Sequence, residues 1–578
     1  MKLPSLLLPA LTGIASAIPA AEPVAGPVVG PGTDKILQDR ADQATVSLPH
    51  ATVVGKATDS VETFSGIPYA EPPLGPLRLK PPKRLSRNLG RVDGTGSAPS
   101  CPQMHLTTEN DNILLDLIGD ALTLPFAQAI NGQEDCLTVS IQRPAGTKEG
   151  DDLPVLFWIY GGAFLTGSTG AYDASAIVKA GVDMGQPLIF VAVNYRVGGF
   201  GFMPGKEMLR DGSSNIGLLD QRMGLEWTSD YIRAFGGDPD KVTIWGESAG
   251  AISVLDQMVL YGGNSTYHDK KLFRGAIMNS GSVVPADPMD CPKGQEVYNG
   301  IVEVAGCTGA TDTLECLRAL EYTDFLRAAN SVPGTLSYHS VALSYLPRPD
   351  GVVLPDSPDR LVAESRYAAV PMIIGDQEDE GTLFALTQTN ISTTDDIVSY
   401  LGSLFFRGAS VEDLEGLVGT YPEAVSAGSP FRTGPLNEVR PGFKRLAALL
   451  GDVVFTLTRR LFLEMAEAVN PEVPAWSYLA SYAYLTPVLG TYHASDIARI
   501  FGGGLPNYAT ESIRTYYINF VTNLDPNRGV EGKYPSWPKW SQGKKLMWFL
   551  RNGSDLLDDD FRSESSEFMK ETVDKFYI

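Results

Sequence analysis

Gly246-Glu247-Ser248-Ala249-Gly250 is the segment in which chemistry is easiest to read. A serine hydroxyl is a weak nucleophile unless the chain lifts it clear of its neighbours and a base takes its proton. Val242-Thr243-Ile244-Trp245 before the motif reads as a buried strand, and Ala249 to Val254 after it as the start of a helix. In a strand–turn–helix context the glycines permit a tight turn, and Ser248 stands on a strained elbow at the positive end of a helix dipole. That arrangement suits acyl transfer.

The base has few candidates, because the chain holds five histidines: His50, His105, His268, His339 and His493. On sheets that carry such an elbow the chain order is serine, then acid, then histidine. His50 and His105 precede the serine, His268 leaves no room for an acid ahead of it, and His339 leaves few strand ends to carry one. His493, in Leu489-Gly490-Thr491-Tyr492-His493-Ala494, follows an apolar stretch late in the chain and suits the loop that carries the base. For the acid, Asp376, Glu378, Asp379 and Glu380 all follow the apolar run ending at Ile374, and the residues alone leave the four open.

The elements that must hold these groups are short apolar runs alternating with helical patterns, the mark of an α/β fold. Val155–Tyr160, Leu188–Val193, Val242–Trp245, Ala276–Met278 and Met372–Ile374 are uniformly apolar, so strands covered on both faces, as in a mostly parallel sheet, are expected. With no internal repeat and no long linker, residues 45–578 read as one large domain. The 578 residues are 43% hydrophobic and 20% charged, which is enough to bury a sizeable core. A net charge of −22 repels phosphate backbones and sets the chain against nucleic acid as a partner.

Lys2, the apolar stretch Leu3–Ile14 and the small residues Ala15-Ser16-Ala17 read as a secretory signal peptide over residues 1–17, followed by a Pro/Gly-rich leader over 18–44. The expectation is a secreted, extracellular protein without a membrane span. In that compartment Asn264, Asn390 and Asn552 become glycosylation candidates. The five cysteines allow two disulfides, read as Cys101–Cys136 and Cys307–Cys316 with Cys291 left as a buried thiol. Closing the longer loop is worth about 3–4 kcal/mol in the chain-entropy picture. Within it, Ile113, Leu114, Leu117, Ile118 and Ala121 recur at helical spacing opposite Asp116, Asp120 and Thr123, so an amphipathic helix is expected. Glu134, Arg78, Arg196 and Asp220 read as structural ion-pair residues. No phosphate loop, dinucleotide fingerprint or metal-ligand spacing occurs, so neither a cofactor nor a metal is expected.

The motifs around Ser248, Asp379-Glu380-Gly381-Thr382 and Gly490-Thr491-Tyr492-His493 together resemble those of the type-B carboxylesterase/lipase family, the cholinesterase-like α/β-hydrolases. So do Phe64-Ser65-Gly66-Ile67-Pro68-Tyr69, Glu134-Asp135-Cys136-Leu137 and Asn194-Tyr195-Arg196-Val197. Within the family, Met278-Asn279-Ser280-Gly281 and Tyr345-Leu346-Pro347-Arg348-Pro349-Asp350-Gly351 are similar to those of secreted fungal lipases and sterol esterases of the Candida rugosa and Geotrichum type. The resemblance implies an α/β-hydrolase fold and a catalytic set of Ser248, Glu380 and His493. It also implies an oxyanion hole from the N–H groups of Ala249, Gly162 and Ala163. The family's loop carries three glycines, whereas Tyr160-Gly161-Gly162-Ala163-Phe164 has alanine third, which is harmless only if position 163 does not need φ > 0. By the same resemblance the loop at about 101–136 is a lid, and Ile252, Pro285, Leu336 and Leu343 line an acyl tunnel. The expected protein is a serine ester hydrolase acting on long-chain acyl esters at an oil–water interface, as a monomer or weak dimer. A carboxylesterase on short soluble esters and a non-catalytic binding homologue are the two alternatives.

Overall fold

The computed structural model describes residues 42–106, 132–502 and 507–578. The signal peptide, nearly all of the leader and the amphipathic stretch from Ile113 to Ala121 lie outside the described residues.

The strands run β1 Gln43–Leu48, β2 Ala51–Ala57, β3 Val61–Pro68, β4 Gly90–Gly94, β5 Thr138–Pro144, β6 Leu153–Ile159, β7 Ile189–Val193 and β8 Gly237–Glu247. They continue with β9 Thr266–Tyr267, β10 Lys270–Lys271, β11 Gly275–Asn279, β12 Met372–Gln377, β13 Ala475–Ala480, β14 Lys545–Leu550 and β15 Gly553–Asp558. Apart from the β9–β10 ribbon they form one sheet of 13 strands in the order β1-β2-β3-β5-β7-β6-β8-β11-β12-β13-β14-β15, with β4 beside β2. From β7 to β14 the neighbours are parallel, and Trp245 of β8 stands opposite Ile277 of β11 while Met278 stands opposite Ile374 of β12. The apolar runs expected as strands therefore form the middle of a mostly parallel α/β-hydrolase sheet, and β7, β11 and β12 are buried along their whole length.

The antiparallel margin was not expected. In β1 buried and exposed residues alternate, because an edge strand presents one face to water. Such a strand lacks the continuous apolar run that marks the centre.

The helix Ala249–Gly263 springs from the end of β8 and is buried from Ala249 through Leu260. Beside it the rings of Trp158 and Trp245 meet edge to face at 4.3 Å, and Phe501 stacks on Trp245 at 5.1 Å. This aromatic core fixes the ends of β6 and β8, from which the candidate site is built. Arg78–Glu134 at 2.6 Å and Arg196–Asp220 at 2.7 Å are buried pairs away from the serine, which accords with a structural role. Cys101 is joined to Cys136 and Cys307 to Cys316, and Cys291 is free and buried. Asn264, Asn390 and Asn552 are exposed. Among the described residues no helix is long and apolar enough to cross a membrane.

Candidate active site

β8 ends at Glu247, the next residue is Ser248, and the helix begins at Ala249. Ser248 holds φ +56° and ψ −126°, a strained conformation that turns the chain at once from strand to helix. Its N–H donates to the carbonyl of Asn279 at 2.9 Å, which pins the elbow to the end of β11. A Cβ at Gly161 would lie 2.9 Å from Cβ of Ser248, and one at Gly250 would lie 2.1 Å from the carbonyl oxygen of Ile159. Both positions must therefore be glycine for the loop after β6 to reach the serine.

His493 Nδ1 and Glu380 Oε2 are 2.5 Å apart, and Glu380 Oε1 accepts from the N–H of Gln377 at 2.7 Å. The second ring nitrogen, Nε2, has no hydrogen-bond partner among the described residues. Phe384 and Phe455 stand against the imidazole at 5.1 and 4.6 Å and shield it from water. The four acids after β12 have four different surroundings. Asp376 pairs with Arg459 at 2.8 Å, and Glu378 with Arg432 through Oε1 at 2.7 Å. Asp379 accepts from Thr491 N, Ser429 Oγ and Phe431 N, clamping the acid loop onto the histidine loop. Glu380 alone of the four meets the imidazole. Of the other histidines, His50 packs on Tyr231, His268 on Tyr267, and the N–H of His105 donates to Asn330.

A second layer of acids escaped the sequence reading. Glu247 Oε1 is 3.4 Å from His493 Nε2. Burial, with Asp496 and Glu380 near by, pushes its carboxyl well above the usual range. Asp496 is raised to about 6, chiefly by burial, although Asn279 Nδ2 donates to it at 2.7 Å. Asn279 Oδ1 in turn accepts from Trp245 and Tyr517. Glu247 was visible only as the variable position of the serine motif, and Asp496 as an acid one helical turn past His493. Neither signal gives a role without the fold.

The loop after β6 turns through positive φ at Gly162 (+111°), Ala163 (+57°) and Phe164 (+58°). The condition under which alanine at 163 would be harmless is not met. The position does need the left-handed region, and alanine occupies it at a cost of about 1–2 kcal/mol from crowding of Cβ against the carbonyl. Its N–H is retained.

Ile252 and Leu343 line one narrow cavity of about 30 Å³ together with Phe164, Val341 and Val454. Pro285 instead lines a second narrow cavity of about 20 Å³ with Phe406, Leu461 and Met569. Leu336 lies in neither, its N–H donating to the carbonyl of Leu106. The structure thus joins two of the four expected tunnel residues and separates the other two. Among the described residues no group of His, Cys, Asp and Glu could hold a metal.

A model of the carboxylesterase family matches residues 42–569. The secreted triacylglycerol lipase LIP1 of Gibberella zeae is 60% identical over 535 residues, 92% of this chain and 91% of that protein. Lipase 2 of Geotrichum candidum is 40% identical over 530 residues, 89% of this chain and 92% of the other. Among solved structures, EstA of Aspergillus niger aligns with a TM-score of 0.78 at 26% identity, covering 93% of this chain and all 100% of that one.

Proposed function

The chain belongs to the carboxylesterase family and is a carboxylic ester hydrolase, and on that premise we propose that it is a secreted lipase that cleaves long-chain acyl esters through an acyl-serine. Ser248 is the nucleophile, His493 the base and Glu380 the acid. His493 takes the Ser248 proton at Nε2 as Oγ attacks the ester carbonyl. The Ser248 hydroxyl is not hydrogen-bonded to that nitrogen in the free enzyme, and such contacts commonly close only when substrate is bound. Glu380 accepts from Nδ1–H, which fixes the tautomer and stabilises the imidazolium. The N–H groups of Ala249, Gly162 and Ala163 receive the oxyanion, at roughly 3–4 kcal/mol of barrier for each donor. The alcohol leaves with the proton from His493, and water activated by the same base releases the acid.

The observation that carries this reading is the Glu380–His493 contact beside the Ser248 elbow, with Ile252 of the helix that follows the serine lining a narrow, mostly apolar cavity. The secreted triacylglycerol lipase at 60% identity supports both the substrate and the compartment. Two assays test it. Ser248→Ala should lower kcat by about 10⁶-fold with the fold intact. The wild-type enzyme should turn over an emulsified long-chain triacylglycerol, and turnover confined to short soluble esters would reject the lipase reading.

A further inference from the structure

The helix that begins after Ser248 carries Ile252 and Asp256 four residues apart in its first turns. Four residues make slightly more than one turn, so the two side chains stack along one face, and Asp256 lies about 12 Å along the axis from the residue that caps the helix, Ser248. Asp256 and Ile252 line the same cavity, whose other lining residues, from Phe164 to Val454, have apolar side chains.

Nothing in the fold accounts for a carboxyl there. Asp256 is 1% exposed and its Oδ2 has no hydrogen-bond partner. Other buried aspartates have a partner: Asp220 meets Arg196, Asp376 meets Arg459 and Asp452 meets Arg562, while Asp379 accepts from Ser429 and Asp496 from Asn279. Asp256 meets none, and burial alone raises its carboxyl well above the usual range. A buried, unpartnered carboxyl weakens the fold, since its polarity was satisfied by water in the unfolded chain. What it can do is pair with a polar group that enters the cavity, donating through O–H and accepting through C=O.

We propose that Asp256 is a specificity residue that selects acyl chains carrying a hydroxyl group in mid-chain. The inference rests on the reading that the acyl chain of the ester occupies this cavity. An extended chain attached at Ser248 and running along the helix covers 12 Å in roughly ten carbon–carbon bonds, which places a mid-chain hydroxyl beside Asp256. A plain alkyl chain covers the carboxyl and leaves it unpaired, and sites built to hydrogen-bond a hydroxyl reject the analogue that lacks it.

The test compares octadecanoyl and mid-chain hydroxyoctadecanoyl esters of one fluorogenic alcohol in the wild-type enzyme, Asp256→Asn and Asp256→Leu. Asparagine keeps a donor and an acceptor in the same space, whereas leucine keeps the bulk and removes both. The kcat/KM ratio of hydroxylated to plain chain is expected to be about tenfold or more in the wild type and in Asp256→Asn, and to fall to unity or below in Asp256→Leu. A buried carboxyl with only a structural role would not move this ratio. Equal ratios in the wild type and Asp256→Leu, with octadecanoyl ester still hydrolysed, overturn the assignment and leave the lipase reading standing. Failure of the wild type on both long esters while a short ester turns over overturns both. Should the leucine variant not fold, inhibition of short-ester hydrolysis in the wild type decides. The free mid-chain hydroxy acid should inhibit about tenfold more strongly than the plain acid, and equal inhibition overturns the assignment.

Discussion

Glu380 Oε2 and His493 Nδ1 meet at 2.5 Å, with both side chains closed off from water. A glutamine at 380 can present its amide nitrogen to Nδ1 and favour the wrong tautomer, so Glu380→Gln should lower kcat by about 10⁴-fold. Asp379→Asn is the informative contrast. Asp379 accepts three hydrogen bonds that tie the acid loop to the histidine loop and to residues 429–431. Losing part of that clamp should cost about 1–3 kcal/mol of stability, read as a lower Tm, with a far smaller loss of kcat. The opposite ranking would move the acid by one residue.

Ala163 pays for its left-handed backbone, with φ at +57°. Ala163→Gly should raise unfolding free energy by about 0.5–1 kcal/mol, because relief of the Cβ clash exceeds the added entropy of the unfolded chain. The urea midpoint checks it. A β-branched residue there should be worse than alanine, so Ala163→Val is expected to lower the midpoint and to disturb the N–H directions on which kcat depends.

These residues also show where the sequence stops being informative. Ser248 is legible because strand, glycine pair and helix are all local, and His493 because chain order eliminates the alternatives. Glu380 cannot be told from Asp376, Glu378 and Asp379 by the residues themselves. The choice is made by a clamp between Asp379 and Thr491, which stand 112 residues apart. The central strands are legible from unbroken apolar runs. The margin from β1 to β5 is not, since a strand with one wet face and a glycine such as Gly55 inside it has no such run. The left-handed turn at Ala163 shows least of all, because an alanine gives no sign of the φ that its loop imposes.

Asp496 predicts a pH dependence of stability. Its pKa is about 6 in the folded protein and about 3.9 in the unfolded chain. Between these values the native state keeps a proton that the unfolded state has released. The contribution of this group is therefore fully present below about pH 4 and is lost as pH rises through about 6, a change of about 3 kcal/mol. Asp496→Asn cannot titrate and should lose less stability over that interval. Urea unfolding at about pH 4 and about pH 7 reads the difference, and identical slopes in the wild type and the variant would remove Asp496 from the account.

Two apolar cavities compete for the acyl chain, and a bulky residue in each tells them apart. Ile252 stands one turn from Ser248 in the wall of the first, and Leu461 lines the second with Pro285. Ile252→Phe puts a ring where a chain leaving the serine would first turn along the helix. The cavity is narrow, so an overpacking cost of about 1–3 kcal/mol is expected. A butyryl ester ends before that point. Its kcat/KM should change by less than about threefold, whereas an octadecanoyl ester should lose at least about tenfold, since near-attack geometry requires the chain to be seated. Leu461→Phe should leave the chain-length profile unchanged. If the long ester instead fails in Leu461→Phe and survives in Ile252→Phe, the acyl chain takes the cavity lined by Pro285, and the helix face of Ile252 and Asp256 does not carry it.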